Sequence, residues 1–357
     1  MSAAEANPPS VRTLAEIGWN DRQSVGGKGA SLGELTAAGV PVPRGFVVTT
    51  GDFERFMRAV DPDHSLRVAI EQLDGDDLHA IASLTHDLGQ RIKHATLPDR
   101  TRDAIVAAYR SLVGSDVDSP VAIRSSATSE DSVDASFAGL HDTYLWVRDE
   151  ATMLQSILSC WASLYSKESV SYRRRLKLRE LGVAMAVVVQ RMVDARCSGV
   201  MFTRSPTTGD RSVITVEANW GLGSCIVSGE VTPDRFVVSK VTGEIIGRTL
   251  SRKTVEHVPN CDAGGVRSAP VAPERQLAPC LSDRDIGALA EMGKRIERRY
   301  AAPQDIEWAI AHDSNALYVL QSRPETVWSS RESPPVARPT ARPFEHVIAA
   351  LSGRPRR

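Results

Sequence analysis

Hydrophobic and polar positions change period several times along the 357 residues, and each change marks an element. Near the end, Ile306, Trp308 and Ile310 alternate with Asp305, Glu307 and Ala309, and the same period resumes at residues 317–323 after His-Asp-Ser-Asn. Alternation on both sides of a polar turn predicts a β-hairpin. With residues 312–316 as the loop, Glu307 faces Gln321 and Asp305 faces Arg323. Trp308 then faces Leu320, and Ile310 faces Tyr318, on the opposite side. A slip of one residue would exchange the two faces.

Upstream, residues 184–193 form a nearly continuous apolar run, which predicts a buried strand and a hinge between two units. Further strands are expected at 46–50, 121–124, 199–203, 213–217 and 235–239. Residues 52–112 read as helical, with breaks near Pro62, Asp74-Gly75 and Pro98. One long helix is expected over about 149–178, ending in a basic run from Arg173 to Arg179. Such cations complement the dipole of a solvated helix end. Ser282 with Asp285 predicts a capping box, opening a helix whose stripe is Ile286, Leu289, Gly293, Ile296 and Tyr300. The Pro-, Ala- and Gly-rich residues 259–280 read as a long loop. These patterns predict an α+β protein with a lead at 1–11, subdomains at 12–190 and 191–328, and a disordered tail at 329–357. The tail carries six Arg against two Glu.

Composition narrows the class. Hydrophobic residues make up 42% and charged residues 24%, as in an ordinary globular chain, and the net charge of −1 gives no field favouring nucleic acid or membrane. Five cysteines are scattered without a C-x-x-C pair, as expected of reduced thiols in the cytoplasm. The first residues show neither part of a signal peptide, and the longest apolar run, 183–189, is too short to span a bilayer.

Four stretches carry candidate chemistry. On the hairpin, Glu307, Gln321, Asp305 and Arg323 gather on one face. Their oxygens and guanidinium suit a magnesium ion bridging phosphates, and they equally suit an exposed surface with an ion pair. Gly26, Gly27, Lys28 and Gly29 precede a helix with Leu32 and Leu35. Glycines there let backbone N–H groups approach an anion, and they also make a plain helix-start turn. Arg124 leaves a strand beside Ser125, Ser126, Thr128 and Ser129, either as a phosphate clamp or as a solvated Ser-rich loop. The following Ser-Phe-Ala-Gly stretch, with His141 behind it, is small-residue-rich as a lid would be. Glu217 heads a fourth stretch, through Trp220 to Gly223 and on to Asp234. Its glycines allow a ligand close to the backbone, or simply a tight turn over Trp220.

Read together and in order, SVGGKGASLGEL, VAIRSSATSED, SFAG, GVMFTRSP, EANWGLG, VSGEVTPD, and DIEWA followed by LYVLQSRPET resemble the ATP-binding module of the phosphoenolpyruvate synthase and pyruvate phosphate dikinase family. The resemblance covers roughly 12–328 and implies an ATP-grasp fold with ATP in a cleft between two subdomains. It implies that Lys28 and Arg124 contact the ATP phosphates and that Arg323 binds phosphate. Glu307 and Gln321 would hold Mg2+. Gln190, Arg191, Met192 and Val193 would lie against the adenine, and Glu217 would join the cofactor contacts. Two positions depart from the pattern. Leu140 stands where the family often has Gln, and Ser224 where it usually has Glu.

The family normally continues into a domain with a phosphorylated histidine, and none of the eight histidines here sits in such a motif. The resemblance in arrangement is to the ATP-binding subunit of phenylphosphate synthase. It implies a split dikinase that phosphorylates a histidine on a partner subunit and passes the group to a small acceptor such as phenol, with AMP and phosphate as products. A pyruvate, water dikinase-type subunit, a partner-completed antibiotic phosphotransferase and a non-catalytic nucleotide-binding relic are the other readings.

Overall fold

A computed structural model describes residues 9–116, 119–128, 131–132, 135–136, 142–260 and 264–329. The first sheet takes β1 (Val11–Thr13), β2 (Gly45–Val48), β3 (Val121–Ala127), β6 (Thr143–Val147) and β7 (Met185–Arg191), in the order β1-β2-β7-β3-β6. The short strands β4 (Asp131–Ser132) and β5 (Ala135–Ser136) pair separately. The first strand thus begins inside the expected lead. β7 is apolar from Met185 to Val189 because it has two cores to fill. Val187 and Val189 face one, while Ala186 and Val188 face the other.

Helices α2 (Thr50–Val60), α3 (Ser65–Glu71), α4 (Leu78–His94), α5 (Asp99–Val113) and α6 (Glu150–Ser163) supply the larger core, around Phe53, Phe56, Ile105 and Trp161. The single helix expected over 149–178 is in fact two. The chain breaks after α6, and Ser166 caps α7 (Lys167–Arg175) by accepting from Ser169 N–H at 3.2 Å. The break folds the first two residues of the basic run inward. Arg173 and Arg174 are buried, with Nη2 atoms 2.8 and 3.1 Å from the Glu180 carboxylate, which is itself fully buried. Arg175, Lys177 and Arg179 are exposed, as expected of a solvated helix end, and the departure is confined to the two charges that Glu180 returns to meet.

The second sheet comprises β8 (Ala195–Phe202), β9 (Val213–Trp220), β10 (Asp234–Ser239), β11 (Ile245–Thr249), β14 (Gln304–Ala311) and β15 (Leu317–Pro324), in the order β11-β10-β9-β8-β14-β15. Within the expected 259–280 loop a hairpin forms instead, from β12 (Val255–Pro259) and β13 (Val266–Pro270). After the short α8 (Ser224–Val227), helix α9 (Asp283–Tyr300) covers one face of this sheet. Its Ile286, Leu289 and Ile296 bury against Met201, Ile214, Ile306 and Trp308. Ser282 and Asp285 form the capping box, with Ser282 N–H donating to Asp285 Oδ2 at 3.0 Å and Asp285 N–H to Ser282 Oγ at 3.2 Å.

The β14–β15 hairpin keeps its expected loop and its pairs Asp305–Arg323 and Glu307–Gln321. Beyond them the register shifts, so that Trp308 faces Val319 and Ile310 faces Leu317, where Leu320 and Tyr318 were expected. A β-bulge adds one residue to β15 and re-aims the side chains on its loop side. Val319 enters the core, and Leu320 is released to the opposite side, against Trp146, Ala195 and Leu222.

Helix α1 (Arg22–Ala37) belongs to both sheets. It breaks at Gly26, whose φ of 70° and proximity to β3 admit no side chain: a Cβ there would lie 1.9 Å from the Ser126 carbonyl oxygen. Ser126 Oγ donates to Val25 O at 2.8 Å and accepts from Gly29 N–H at 3.0 Å, fixing the start of the helix to β3. Further along, Ser31 Oγ donates to Ser322 O on β15 at 2.7 Å. The chain passes from one sheet to the other after β7, over residues 192–194, whereas the boundary expected between 190 and 191 falls inside that strand. Packing does not divide there, and the described residues as far as Glu325 form one unit.

Candidate functional site

Arg124 on β3 reaches across to the second sheet. Its Nη2 donates to Glu307 Oε2 at 2.7 Å and to Gln321 Oε1 at 2.6 Å, and its Nη1 donates to Leu320 O at 2.7 Å. The bulge at Leu320 presents that carbonyl. The Arg124 side chain is only 11% exposed, so its charge sits in a setting of weak screening. Its serine neighbours do not join it. Ser126 is committed to α1, Thr128 Oγ1 donates to Ala184 O at 3.3 Å, and Ser129 lies outside the described residues.

Two hard oxygens, from Glu307 and Gln321, therefore meet on one cationic atom, the Arg124 Nη2 nitrogen. Asp305 lies on the same face, and its buried Oδ1 has no hydrogen-bond partner. Burial pushes the Asp305 carboxyl up to about 6, against the opposing pull of Arg323. An oxygen donor set of this kind fits Mg2+, which takes its remaining ligands from phosphate and water. Among the described residues no group of three or more His, Cys, Asp or Glu is placed to hold a metal ion by itself.

A cavity of about 470 Å³ extends from Arg124 and Glu307 to the chain crossover. Gln190, Arg191, Met192 and Val193 line it. Gln190 is buried and donates from Nε2 to Pro43 O at 3.3 Å. Arg191 is held by Ser119 Oγ at 2.5 Å, and Met192 N–H donates to Pro120 O at 2.9 Å. Met192, Val193 and Leu320 pack on Trp146, Ala195, Leu222 and Ala309, which makes the walls apolar at this end. A charged end and an apolar end within one cavity suit a ligand that joins phosphate to a flat base.

Four predicted residues stand outside the cavity lining: Gln321, which reaches it through Arg124, and Lys28, Arg323 and Glu217. Lys28 is on α1, one turn before Ser31 on the same helix face, and its charge reaches the buried Cys160 thiol. Arg323 is 43% exposed, with Nη2 at 3.4 Å from Asp305 Oδ2. Glu217 shares a cross-strand row with Glu307, the two being separated by Val200. Two strand spacings put them about 10 Å apart. Burial raises the Glu217 carboxyl, and Arg235 opposes that shift.

Ser224, Thr143 and Leu145 also line the cavity; Thr143 and Leu145 were not expected there, whereas Ser224 was marked only as a departure from the family's usual Glu. Ser224 is bonded to His257 on β12, in a segment whose strands the sequence pattern does not show. The lid stretch around Phe137 and His141 lies outside the described residues, as does most of the tail. Cys160, Cys197, Cys225 and Cys280 are free and buried. No helix among the described residues is long and apolar enough to cross a membrane.

Over residues 22–342 the chain matches the family model described as pyruvate phosphate dikinase, AMP/ATP-binding domain. It is 42% identical over 319 residues to a probable phosphoenolpyruvate synthase of Methanothermobacter thermautotrophicus, covering 88% of this chain and 46% of that protein. It is 43% identical over 320 residues to a rifampicin phosphotransferase of Streptomyces sviceus, covering 88% and 36%. With the phosphoenolpyruvate synthase of Aeropyrum pernix the identity is 39% over 360 aligned positions, covering 91% and 43%. The chain spans less than half the length of these relatives.

Proposed function

Because the chain belongs to the pyruvate phosphate dikinase AMP/ATP-binding family, with the α+β fold of ATP-grasp type, we propose that it binds ATP with Mg2+ in the cleft between its two sheets and passes a phosphoryl group to a histidine on a partner subunit. The observation that carries this reading is the meeting of Arg124, Glu307 and Gln321 at one end of a cavity whose other end is the apolar crossover.

In this reading Glu307 and Gln321 hold the metal, with Asp305 beside them. The bound ion neutralises charge on the phosphate oxygens. Arg124 moves its donors from the two metal-side oxygens to the phosphates, where a planar fork matches phosphoryl oxygens in pairs. Lys28 and Arg323 add charge from α1 and β15, and catalysis consists mainly of positioning and neutralisation. Gln190, Arg191, Met192 and Val193 flank the adenine. Glu217, on the same sheet face, contacts the cofactor from farther along the row.

Among the described residues no histidine lines this cavity, which supports a carrier histidine supplied from elsewhere. From that histidine the group goes to a small acceptor, with AMP and phosphate as products. Phenol is the first candidate, from the arrangement the sequence resembles, and pyruvate the second, in keeping with the named synthases among the relatives. The reaction belongs in the cytoplasm.

The test uses ATP labelled separately at the β and γ positions, with candidate histidine-bearing proteins. Label on a partner histidine with AMP as product is the expected result. ADP as product overturns the dikinase reading, and ATP binding without transfer to any histidine protein favours the relic.

A further inference from the structure

Ser224, His257 and Glu230 form a continuous hydrogen-bonded string that ends at the cavity. Ser224 Oγ lies 2.7 Å from His257 Nδ1, and His257 Nε2 lies 3.1 Å from Glu230 Oε2. The direction of each bond is set from the far end. Hydrogen bonds from Ser228 and His257 hold the Glu230 carboxyl below its usual range, and Ser268 Oγ also donates to it at 3.3 Å. An ionised carboxylate only accepts, so His257 gives it the Nε2 proton. With a neutral imidazole, Nδ1 is a bare lone pair and takes the Ser224 hydroxyl proton. The Ser224 oxygen is left with lone pairs as its free capacity, so it can only accept from a ligand.

The place of Ser224 along the cavity is fixed by its neighbours. Gly221 N–H donates to Arg196 O at 3.1 Å, and Ser198 Oγ donates to Gly221 O at 2.6 Å. This ties the turn ahead of Ser224 to the start of β8, just past the crossover. Leu222 packs with Ala195 in the apolar wall, whereas Arg124 and Glu307 mark the charged end. Ser224 also borders an adjoining cavity of about 900 Å³, which shares Thr143 and Leu145 with the first. A nucleotide lying from crossover to Arg124 offers one neutral O–H donor class between its base and its phosphates, the sugar hydroxyls.

We propose that Ser224, with its hydroxyl oriented by His257 and Glu230, accepts a hydrogen bond from a ribose hydroxyl and so selects ribonucleotides over deoxyribonucleotides. This assignment rests on the nucleotide reading above. His257 and Glu230 act through Ser224 and are positioning residues.

The experiment measures equilibrium binding of Mg2+ with ATP, 2′-deoxy-ATP and 3′-deoxy-ATP to the full chain by calorimetry. The wild type is expected to prefer ATP to at least one deoxynucleotide by about fivefold or more, the worth of one oriented hydrogen bond. Ser224→Ala removes most of that preference by weakening ATP, together with any deoxynucleotide that keeps the contacted hydroxyl, and leaves the one that lacks it unchanged. His257→Ala removes part of the preference and leaves the affinity for that deoxynucleotide unchanged. A wild type that binds all three equally overturns the assignment, as does a Ser224→Ala chain that loses affinity for all three alike. In both cases ATP binding itself stands. Failure of the wild type to bind ATP at all overturns the nucleotide reading, and this assignment with it.

Discussion

Arg124 of the first sheet and Glu307 of the second are joined across the cleft at 2.7 Å, by a guanidinium that also holds Gln321. The pair fixes the spacing of the two walls where charge is concentrated. Lysine keeps the charge at position 124 but lacks the planar fork, so it cannot serve three acceptors in this geometry. Arg124→Lys is expected to slow ATP-dependent phosphorylation of a partner histidine about tenfold or more, which corresponds to losing one charge-assisted hydrogen bond of ~1.5–3 kcal/mol. The rate of label transfer measures it, and an unchanged rate removes Arg124 from the site.

Glu307→Gln keeps the shape of the cation position and removes its negative charge. The expected outcome is a rise of about tenfold in the Mg2+ concentration needed for half-maximal ATP binding, with ATP affinity recovering at saturating metal. A magnesium titration followed by calorimetry reads the shift. A loss that no metal concentration restores places Glu307 in the fold and not at the ion.

Arg323 is 43% exposed, and its ion pair with Asp305 is long. An exposed pair of this kind contributes under about 1 kcal/mol to stability. Arg323→Ala is therefore expected to leave the thermal midpoint nearly unchanged while slowing transfer at least about tenfold. Measuring both on one preparation separates a phosphate contact from a structural one. Unchanged transfer would remove Arg323 from the site.

Glu180 has the opposite profile. It is fully buried between Arg173 and Arg174, far in kind from the cleft chemistry. Removing one partner of a buried ionic cluster leaves an uncompensated charge and costs about 3–5 kcal/mol. Glu180→Ala is expected to lower the unfolding free energy measured in urea by that amount, and any surviving folded fraction should bind ATP normally.

Asp149 caps α6 by accepting from Thr152 N–H at 2.8 Å. That bond holds its carboxyl below the usual range. A folded value below the unfolded one means that the stabilisation is present above the unfolded carboxylate range and disappears as pH falls through the lowered folded value. Asp149→Ala should cost about 1 kcal/mol at neutral pH. The gap from wild type should close in acid, whereas Asp149→Asn should show little change at either pH. Urea denaturation at a series of pH values tests the sign.

The hairpin was readable because alternation fixes which residues share a face, and the pairs Glu307–Gln321 and Asp305–Arg323 need nothing more. The bulge at Leu320 was not. It changes no composition and makes sense only once Arg124, 196 residues earlier in the chain, claims the Leu320 carbonyl. Arg173 and Arg174 misled for a related reason, although Arg175, Lys177 and Arg179 are exposed as expected. Charge at a helix end indicates solvent unless a later residue folds back, and nothing around Glu180 announces that it does. The position of Ser224 was legible, beside Gly223 and in place of the family's usual Glu, but its bond was not, because its partner His257 lies 33 residues on, in a hairpin whose strands the sequence pattern does not show. Lys28 was found by its glycines, yet those glycines serve first to let α1 approach Ser126.

The double attachment of α1 makes the two sheets inseparable as pieces. A cut after β7 tracks the course of the chain, but it leaves α1 on the first fragment with Ser31 still needed by Ser322 on the second. Neither fragment would present a finished surface to solvent. The second would lack the cover over β15, and the first would carry a helix with one side bare. Exchange of cleft halves between relatives therefore cannot assign residues 22–37 to either half alone, because Val25, Ala30 and Leu32 complete a core with Val47, Ala186 and Val188 of the first sheet while Ser31 serves the second.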